Sequence, residues 1–217
     1  MRLLIVLFTL SPLWLFAQDV AEAARADGDA ALHRARRGHV AQLLRHPRSP
    51  LDSHSIQRLR FFPPNDTFRV ATVILPLADT ATVEFVTSDG LAKAYRPYAK
   101  LYFRLGGSLR DLTVYESPDL RRNPLLADKL FLPFRDETNG FESYGGGRYL
   151  DVSRRAVDAR DLVLDFNRAY NPWCAYGEGF SCPVPPPANS LPVAVLAGEA
   201  ALAASEARPP LAPAEPQ

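Results

Sequence analysis

The chain has 217 residues, of which 47% are hydrophobic and 23% are charged, a composition typical of a globular protein with one sizeable core. Its formal net charge at pH 7 is +1, which argues against nucleic acid as a partner because nucleic-acid-binding domains carry a clear basic excess. Of the 25 basic residues only those at positions 93, 100 and 129 are lysines, so arginine carries almost all of the positive charge.

The N-terminus has the pattern of a secretory signal peptide. Arg2 precedes an apolar run from Leu3 to Phe16, and the small residue Ala17 comes just before polar Gln18. We predict a signal peptide over residues 1–17, export to the periplasm or the medium, and no stable membrane span after cleavage. The apolar run is shorter than the roughly 20 residues that a bilayer span needs. The alternative is an uncleaved signal that anchors the protein.

Residues 18–60 form a second region, which is rich in alanine and arginine and contains all four histidines. Val40, Leu43 and Leu44 have helical spacing, so we predict a basic helical arm that packs loosely on the rest of the protein. The histidines could contact a metal or an anionic surface. Side chains on a polar, arginine-rich arm are usually solvated, and this is how we interpret them.

Beyond residue 60 the pattern changes to the alternation that is typical of half-buried β-strands. In the run KLYFRL, Leu101, Phe103 and Leu105 fall on one face and their neighbours on the other. Seven further strand-like runs are FRVATVILPL, ATVEFVT, DLTVYES, KLFLPFRD, GRYLDV, DLVLDFN and LPVAVLAGE. Turn signals such as Gly106-Gly107 separate neighbouring runs.

These runs leave little room for helices between them. They predict a mainly β fold, an antiparallel β-barrel or sandwich of about eight strands preceded by the helical arm. We expect a single β-rich domain over residues 61–199. Residues 200–217 are rich in alanine and proline and poor in large apolar side chains, so we predict a disordered tail there.

The β-rich region contains no histidine, the residue that many active sites use as a base or a metal ligand. No histidine follows His54, so this region has none for a Ser-His-Asp arrangement or for the usual kind of zinc site. An enzyme would have to use carboxylates, tyrosines or cysteines as acid and base. Whether the protein is an enzyme stays open, and we lean towards a protein that is not.

Polar side chains concentrate in two segments, first LFLPFRDETNGFESYGGGRYLDV and then LVLDFNRAYNPWC. In both, the polar residues follow the end of a predicted strand, a position at which functional loops are common. In the second segment, strand alternation places Asp165 and Asn167 on the same face. A structural explanation is also available, because such residues cap turns, and Arg135 or Arg148 could pair with Asp165 in a buried network.

Five motifs follow one another in the second half of the chain: FRDET, GGGRYL, DFNRAYNP, CPVPPP and AGE. Together with RFFPPNDTFRV upstream, they closely resemble the family of bacterial and archaeal proteins called domain of unknown function 1684, or DUF1684. The chain looks like a short form of this family with an N-terminal signal peptide. The family is uncharacterised, so the resemblance implies no activity.

The positions that match the family motifs form our candidate binding group. They are Arg135, Asp136, Thr138, Tyr144, Arg148, Tyr149, Asp165, Asn167, Tyr170, Asn171, Asn189 and Glu199.

The two cysteines, Cys174 and Cys182, lie close together in the chain. We expect a disulfide between them, because the thiols of an exported protein meet an oxidising environment. Two free thiols or a metal site are the alternatives. A metal would need further ligands, for which Asp165 and Glu199 are the nearby candidates, and we expect none.

We therefore predict an exported, periplasmic β-domain protein that binds a small polar or anionic ligand, or an envelope component, through polar loops around residues 135–149 and 165–189. We expect no cofactor and no nucleic acid. Another interpretation is that the motif residues are a folding framework and that the protein acts through its surface.

An enzyme is the remaining alternative. A hydrolase-like site could use Asp165 or Asp136 as the base and Tyr144 or Tyr149 as the acid, with Arg148 holding an anionic substrate.

Overall fold

The fold is described by a computed structural model that covers residues 12–203 apart from residue 79. Side chains are described from residue 28 onward, except at positions 79 and 119. Residues 1–11 of the predicted signal peptide and residues 204–217 of the predicted tail lie outside this range. Among the described residues, no helix combines the length and hydropathy that a membrane span requires.

The N-terminal arm is one long helix, α1, over Pro12–Arg45. It begins inside the predicted signal peptide. Leu32 and Leu43 lie three turns apart on the same face of α1 and are both buried, so this face packs on the β-rich part of the protein. Two shorter helices, α2 over Pro118–Arg122 and α3 over Arg154–Asp158, follow β-strands of the main sheet.

Within the described residues, eight strands form two antiparallel sheets, which confirms the predicted mainly β, antiparallel fold of about eight strands. The strands are β1 (Arg69–Ala71), β2 (Val73–Pro76), β3 (Val83–Val86), β4 (Ala92–Leu105), β5 (Ser108–Glu116), β6 (Lys129–Phe134), β7 (Arg148–Ser153) and β8 (Val163–Asp165). Six of them pair in the order β2-β4-β5-β6-β7, with β3 also on β4, while β1 pairs with β8. Among the described strands the sheets do not close into a barrel, and a sandwich-like arrangement fits them.

The predicted hairpin turn is confirmed. Leu105 of β4 pairs with Ser108 of β5, and Gly106 and Gly107 between them have φ values of 60° and 76°. Positive φ at both central residues is what a two-residue turn with the twist of the strands demands, and glycine adopts it without steric strain.

Both faces of the main sheet are covered. In β6, Leu130, Leu132 and Phe134 face the main core, whereas Phe131 faces an aromatic cluster on the opposite side. The cluster, which we call the aromatic face, consists of Phe85, Tyr95, Tyr115, Phe131 and Tyr149. Burial on both faces explains why β6 is a continuous apolar run rather than an alternating one.

A bulge in β4 lets this strand serve both faces. Pro97 pairs with Tyr115 of β5 but Ala99 pairs with Val114, so one extra residue lies in β4 at this point. An extra residue reverses which side chains face each way. Tyr95 before the bulge therefore joins the aromatic face, whereas Ala99 after it joins the main core.

The prediction of a final strand at LPVAVLAGE is wrong. Residues 191–199 form no regular strand, and the run FRVATVILPL supplies two strands, β1 and β2, instead of one. The reason is that side chains bond to the backbone of this last segment. Val195 N donates to Asp136 Oδ1, and its carbonyl oxygen accepts from Arg148, so no neighbouring strand is needed.

Candidate functional site

Arg148 is the centre of a buried network on the core side of β7. Its side chain is fully buried, and its two terminal nitrogens donate to the carbonyl oxygens of Ala197 at 2.5 Å, Val195 at 2.8 Å and Glu199 at 3.2 Å. One of them also pairs with Asp136 Oδ2 at 2.8 Å. Arg148 thus binds the C-terminal segment to the sheet and points away from solvent.

Asp136 completes this network. Its Oδ1 accepts from Thr138 N at 2.9 Å and from Thr138 Oγ1 at 2.5 Å, and Oδ2 carries the ion pair with Arg148. The Asp-x-Thr motif is therefore a local turn that holds the carboxylate in place. Both oxygen atoms of this carboxylate have protein partners, and its side chain is fully buried.

Two candidate asparagines are also structural. Asn189 Oδ1 accepts from Thr113 N at 2.9 Å, and its Nδ2 donates to the carbonyl oxygens of Thr113 and Pro133 at 2.8 and 2.7 Å. Asn189 thereby joins β5 to β6. Asn167 makes the same kind of paired contact with the backbone of Asn65, at 2.9 Å in each direction.

Asp165 caps the turn after β8. Its Oδ1 accepts from the backbone N and the Nδ2 of Asn167 at 3.0 and 2.8 Å, and Oδ2 lies 3.5 Å from Arg69 Nε and 3.6 Å from Arg168 Nε. The predicted pairing of Asp165 with Arg135 or Arg148 is wrong. Arg148 is bound to Asp136 on another side of the core, and the side chain of Arg135 is exposed.

The remaining loop candidate, Tyr144, lies against Gly146 and is half-buried. Neither Tyr144 nor Arg135 reaches the cavity described next. The first predicted loop, residues 135–149, is thus mostly a structural framework. Its last residue, Tyr149, is the exception.

A cavity of about 1080 Å³ lies over the aromatic face, between the sheet, α1 and residues 167–183. Four of the candidates line it: Tyr149, Asn167, Tyr170 and Asn171. Its other aromatic side chains are Phe61, Tyr95, Phe131, Trp173 and Phe180. A concave, partly apolar cavity with a few polar groups is the usual form of a small-molecule site.

Two tyrosines of this cavity, Tyr149 and Tyr170, are held in their neutral form. Tyr149 OH donates to the carbonyl oxygen of Pro183 at 2.5 Å, and burial raises the pKa of Tyr149. Tyr170 OH donates to Asp151 Oδ1 at 2.9 Å, and burial together with this carboxylate raises the pKa of Tyr170 well above its ordinary value. These phenols are fixed hydrogen-bond donors rather than ready acids.

Glu199 lies fully buried beside Asn171, next to the cavity. Its carboxylate accepts from Asn171 N and Asn171 Nδ2, both at 3.1 Å, and from Tyr176 OH. Burial and this carboxylate raise the pKa of Tyr176. Gly198, just before Glu199, has φ 78°, and a Cβ there would lie 2.7 Å from the carbonyl oxygens of Phe166 and Ala169, so only glycine fits.

α1 contributes to the site, which the sequence reasoning missed. His39 Nε2 lies 3.6 Å from Glu199 Oε2, and the His39 ring is tilted against Tyr170 at 5.5 Å. His46 packs edge-on against Trp173 at 4.6 Å. The interpretation as solvated side chains is therefore wrong for His39 and His46, whereas His33 and His54 are exposed. A histidine from the arm does reach the β-rich region. No spacing in the sequence indicates this contact, because it depends on how α1 docks.

The cavity lining is strongly basic. It contains six basic residues and one carboxylate, Asp151. The basic residues are Arg36, His39, Arg48, Lys93, Lys129 and Arg168. Lys129 pairs with Asp151 at 2.6 Å, whereas neither Lys93 nor Arg48 forms an ion pair with a carboxylate of the described residues. The other five basic residues thus have no carboxylate partner within the cavity lining.

The predicted disulfide between Cys174 and Cys182 is present, with a Cα–Cα distance of 6.3 Å. It closes the loop that supplies Phe180 and Cys182 to the cavity wall. Ser88 in the turn after β3 holds this loop, since its hydroxyl donates to Phe180 O at 2.9 Å. Within the described residues, no group of three or more His, Cys, Asp or Glu side chains is arranged to hold a metal ion.

Fold and cavity together define the class: a mainly antiparallel β protein with a basic, aromatic-lined cavity that opens to solvent and is bordered by the helix α1. The family model described as "Protein of unknown function (DUF1684)" matches residues 54–200. The chain belongs to this family, and the resemblance carried by its motifs is confirmed.

A solved structure is similar to this chain over most of both lengths. It is the solution NMR structure of an uncharacterized protein of Haloarcula marismortui, which is 34% identical, with a TM-score of 0.63. The alignment covers 82% of this chain and 97% of that chain. No protein with a curated description matches the chain.

Proposed function

We propose that this protein binds a small organic anion with an apolar or aromatic body in the cavity over the aromatic face. The observation that carries the proposal is the combination of six basic residues and seven aromatic residues around one space of about 1080 Å³. Volumes of this order accommodate drug-sized or cofactor-sized molecules. Basic groups favour a negative charge, and the rings favour a flat apolar body.

The distribution of exposure supports an orientation for the ligand. Lys93, Arg48 and Arg168 are exposed, which places them at the mouth of the cavity. Phe131 and Tyr149 are 7% exposed and lie at its floor. An anion that enters would keep its charge at the mouth, where desolvation is small, and bury its apolar body against the rings.

The enzymatic alternative built on Asp136 or Asp165 loses its basis. Both carboxylates accept hydrogen bonds and are ion-paired with arginine, and neither lines the cavity. A catalytic base must reach the proton that it removes. We therefore assign Asp136, Asp165 and Arg148 to the framework of the fold.

We also propose that the protein works outside the cytoplasm. Two features support this: the signal-peptide pattern ending at Ala17 and the disulfide between Cys174 and Cys182. Disulfides persist in oxidising compartments and are rare in the cytosol.

The chain offers a matched test of the binding proposal, because it has just three lysines. Lys93 and Lys129 line the cavity, whereas Lys100 lies elsewhere on the sheet and pairs with Asp111 at 2.8 Å. The probe is anilinonaphthalene sulfonate, a flat aromatic anion, titrated into protein purified from the periplasm. Charge reversal by Lys93→Glu should weaken its binding about tenfold, a reasonable size for one partly solvated charge contact, and Lys100→Glu should not.

Amine labelling gives an independent reading of the same site. With bound probe, acetylation of Lys93 and Lys129 should slow relative to Lys100, as measured by peptide mass spectrometry. Failure of the probe to bind saturably, or equal weakening by Lys93→Glu and Lys100→Glu, would refute the proposed function.

A further inference from the structure

His39 on α1 lies between a buried carboxylate and the cavity. Its Nε2 is buried and lies 3.6 Å from Glu199 Oε2. The ring also lines the cavity, and 24% of the His39 side chain is exposed. The two nitrogens of an imidazole ring point in different directions, so with Nε2 turned towards Glu199, Nδ1 is the nitrogen that a ligand in the cavity can meet.

Glu199 gives a reason for a positive charge on this ring. Its carboxylate is fully buried, and the donors that bind it, Asn171 N, Asn171 Nδ2 and Tyr176 OH, are all neutral. Among the described residues, His39 is the one basic side chain within ion-pair distance of this carboxylate. A buried carboxylate is costly without a cation, and the imidazolium form of His39 supplies one.

Two tyrosines enclose His39 and Glu199 without adding charge. The ring of Tyr170 lies 5.5 Å from that of His39, and Tyr176 donates to Glu199. Burial raises the pKa of both tyrosines, and a nearby carboxylate adds to the effect in each case, so both stay neutral up to alkaline pH. Between about pH 5 and 8, a change of charge beside Glu199 therefore comes from His39, because histidine is the side chain that titrates in this range.

Two further charged groups of the lining act on His39. Arg36, three positions earlier on the same helix face, also lines the cavity, so its guanidinium opposes a proton on His39. Asp151, which accepts from Tyr170 OH, is the carboxylate of the lining and is paired with Lys129. A bound anion would offset the positive charges of Arg36 and His39 together. Its arrival therefore favours the proton on His39, so anion binding and protonation are linked.

His39 and Lys93 mark opposite ends of a row of rings that crosses the sheet. Lys93 lies two positions before Tyr95 on β4 and shares its face of the strand. From β4 the row continues over β6 and β7 to α1, with neighbouring ring centroids 4.8–5.9 Å apart, in the order Tyr95, Phe131, Tyr149, Tyr170 and His39. A flat apolar molecule on this row has one end near Lys93 and the other near His39.

We propose that the ligand is a planar dianion with an acidic group at each end, one meeting Lys93 and the other meeting His39, and that its binding takes up a proton on His39. The second acidic group accepts a hydrogen bond from Nδ1 of the imidazolium, whose Nε2 faces Glu199. The proton comes from solvent, and no covalent bond of the ligand changes. This inference rests on the proposed function, because it specifies the anion that the same cavity binds.

Pairs of probes that differ in one acidic group test the dianion. Naphthoate is compared with the naphthalenedicarboxylate whose carboxylates lie at opposite ends, and biphenylcarboxylate with the longer biphenyldicarboxylate. At about pH 6 the dicarboxylate of at least one pair should bind about tenfold more tightly than its monocarboxylate, a size typical of one charge-assisted hydrogen bond. Towards about pH 9 this advantage should disappear, because a neutral imidazole offers no charge to the second group.

Isothermal titration calorimetry in two buffers with different enthalpies of ionisation counts the protons taken up. At the pH where the advantage of the dicarboxylate has fallen by half, its binding should take up a measurable fraction of a proton. His39→Gln should abolish both the uptake and the advantage, while the monocarboxylate still binds. His33→Gln changes an exposed histidine of the same helix and should alter neither.

Proton NMR of the parent protein decides the matter if His39→Gln does not fold, which circular dichroism and the melting temperature show. The chain has four histidines, so Gln variants of His33, His46 and His54 assign their signals and leave that of His39. The dicarboxylate should move the titration of this signal to higher pH.

The outcomes separate this inference from the proposed function. Equal affinities within both probe pairs, or proton uptake that persists in a folded His39→Gln variant, would overturn the dianion. If anilinonaphthalene sulfonate still binds and still responds to Lys93→Glu, the anion site stands without it. If the sulfonate fails as well, the cavity is not a binding site for organic anions and both proposals fall.

Discussion

Two polar regions lie on opposite faces of the same sheet, and they use the family motifs differently. On the core side, Arg148 and Asp136 are completely buried and bind each other and the backbone of residues 195–199. On the aromatic side, Tyr149, Tyr170 and Asn171 border an open space together with side chains of α1. Alternation along β7 separates the two, since Arg148 and Tyr149 are adjacent in the chain and point to opposite faces.

Motif residues on the two faces should therefore have different roles. A polar group that is buried in protein and binds the backbone in place of a missing strand should contribute to stability. A polar group that borders a cavity should contribute to binding instead. Substitutions on the two sides should therefore have separable effects on unfolding and on ligand affinity.

The largest effect should come from Arg148→Met. It leaves the Asp136 carboxylate buried without its cation and removes donors from three carbonyl oxygens, so we expect a loss of about 3–5 kcal/mol in the free energy of unfolding. Urea unfolding measures it. The exposed Arg135→Met is the control, and equal stability of the two variants would show that the network does not support the fold.

Loss of the disulfide should come next. The chain-entropy estimate for a loop of eight residues is about 2.5 kcal/mol. The double variant Cys174→Ser with Cys182→Ser should therefore lose about 2.5 kcal/mol in the free energy of unfolding, as measured by urea unfolding. Binding of anilinonaphthalene sulfonate should weaken as well, because the loop carries Phe180 of the cavity wall. Two free thiols in the exported protein, found by intact mass after alkylation, would contradict the bond itself.

Alkaline pH should destabilise the aromatic side. The pKa of Tyr149 and that of Tyr176 are raised in the folded protein, so above the ordinary value of about 10 the unfolded chain loses these protons first and stability falls with rising pH. Each tyrosine contributes up to about 1.4 kcal/mol per pH unit.

Tyr149→Phe removes one such group and should flatten the dependence between pH 10 and 11, as measured by urea unfolding at each pH. The same variant at pH 7 to 8, below the ordinary pKa, serves as the control and should show only a constant offset. An unchanged slope would mean that Tyr149 ionises as readily in the folded state as in the unfolded one.

The smallest effect on stability belongs to the mouth of the cavity. Lys93→Ala replaces an exposed side chain and should change the free energy of unfolding by less than about 0.5 kcal/mol. It should still weaken anilinonaphthalene sulfonate, whereas Lys100→Ala should change neither quantity. A Lys93→Ala variant that loses stability but keeps its affinity for the sulfonate would contradict the prediction that the cavity side serves binding and the core side serves stability.

Sequence patterns were enough to predict the mainly β class, seven of the eight strand-like runs, the hairpin at Gly106-Gly107 and the family. Alternation and turn residues act over short distances, so they can be recognised without the tertiary structure. Its motifs also identified Tyr149, Tyr170, Asn171 and Glu199, which do lie at or beside the cavity.

The tertiary structure alone decided which motif residues border a space and which are buried in the framework. Arg148 and Tyr149 are adjacent residues of the same motif, and nothing in the sequence distinguishes their roles. They differ because both faces of β6 and β7 are buried, one by the main core and the other by the aromatic face. The part played by His39 depends on the docking of a helix that lies 160 positions before Glu199 in the chain. No local pattern encodes a contact of that separation, since it arises from the docking of α1, in which Leu32 and Leu43 become buried.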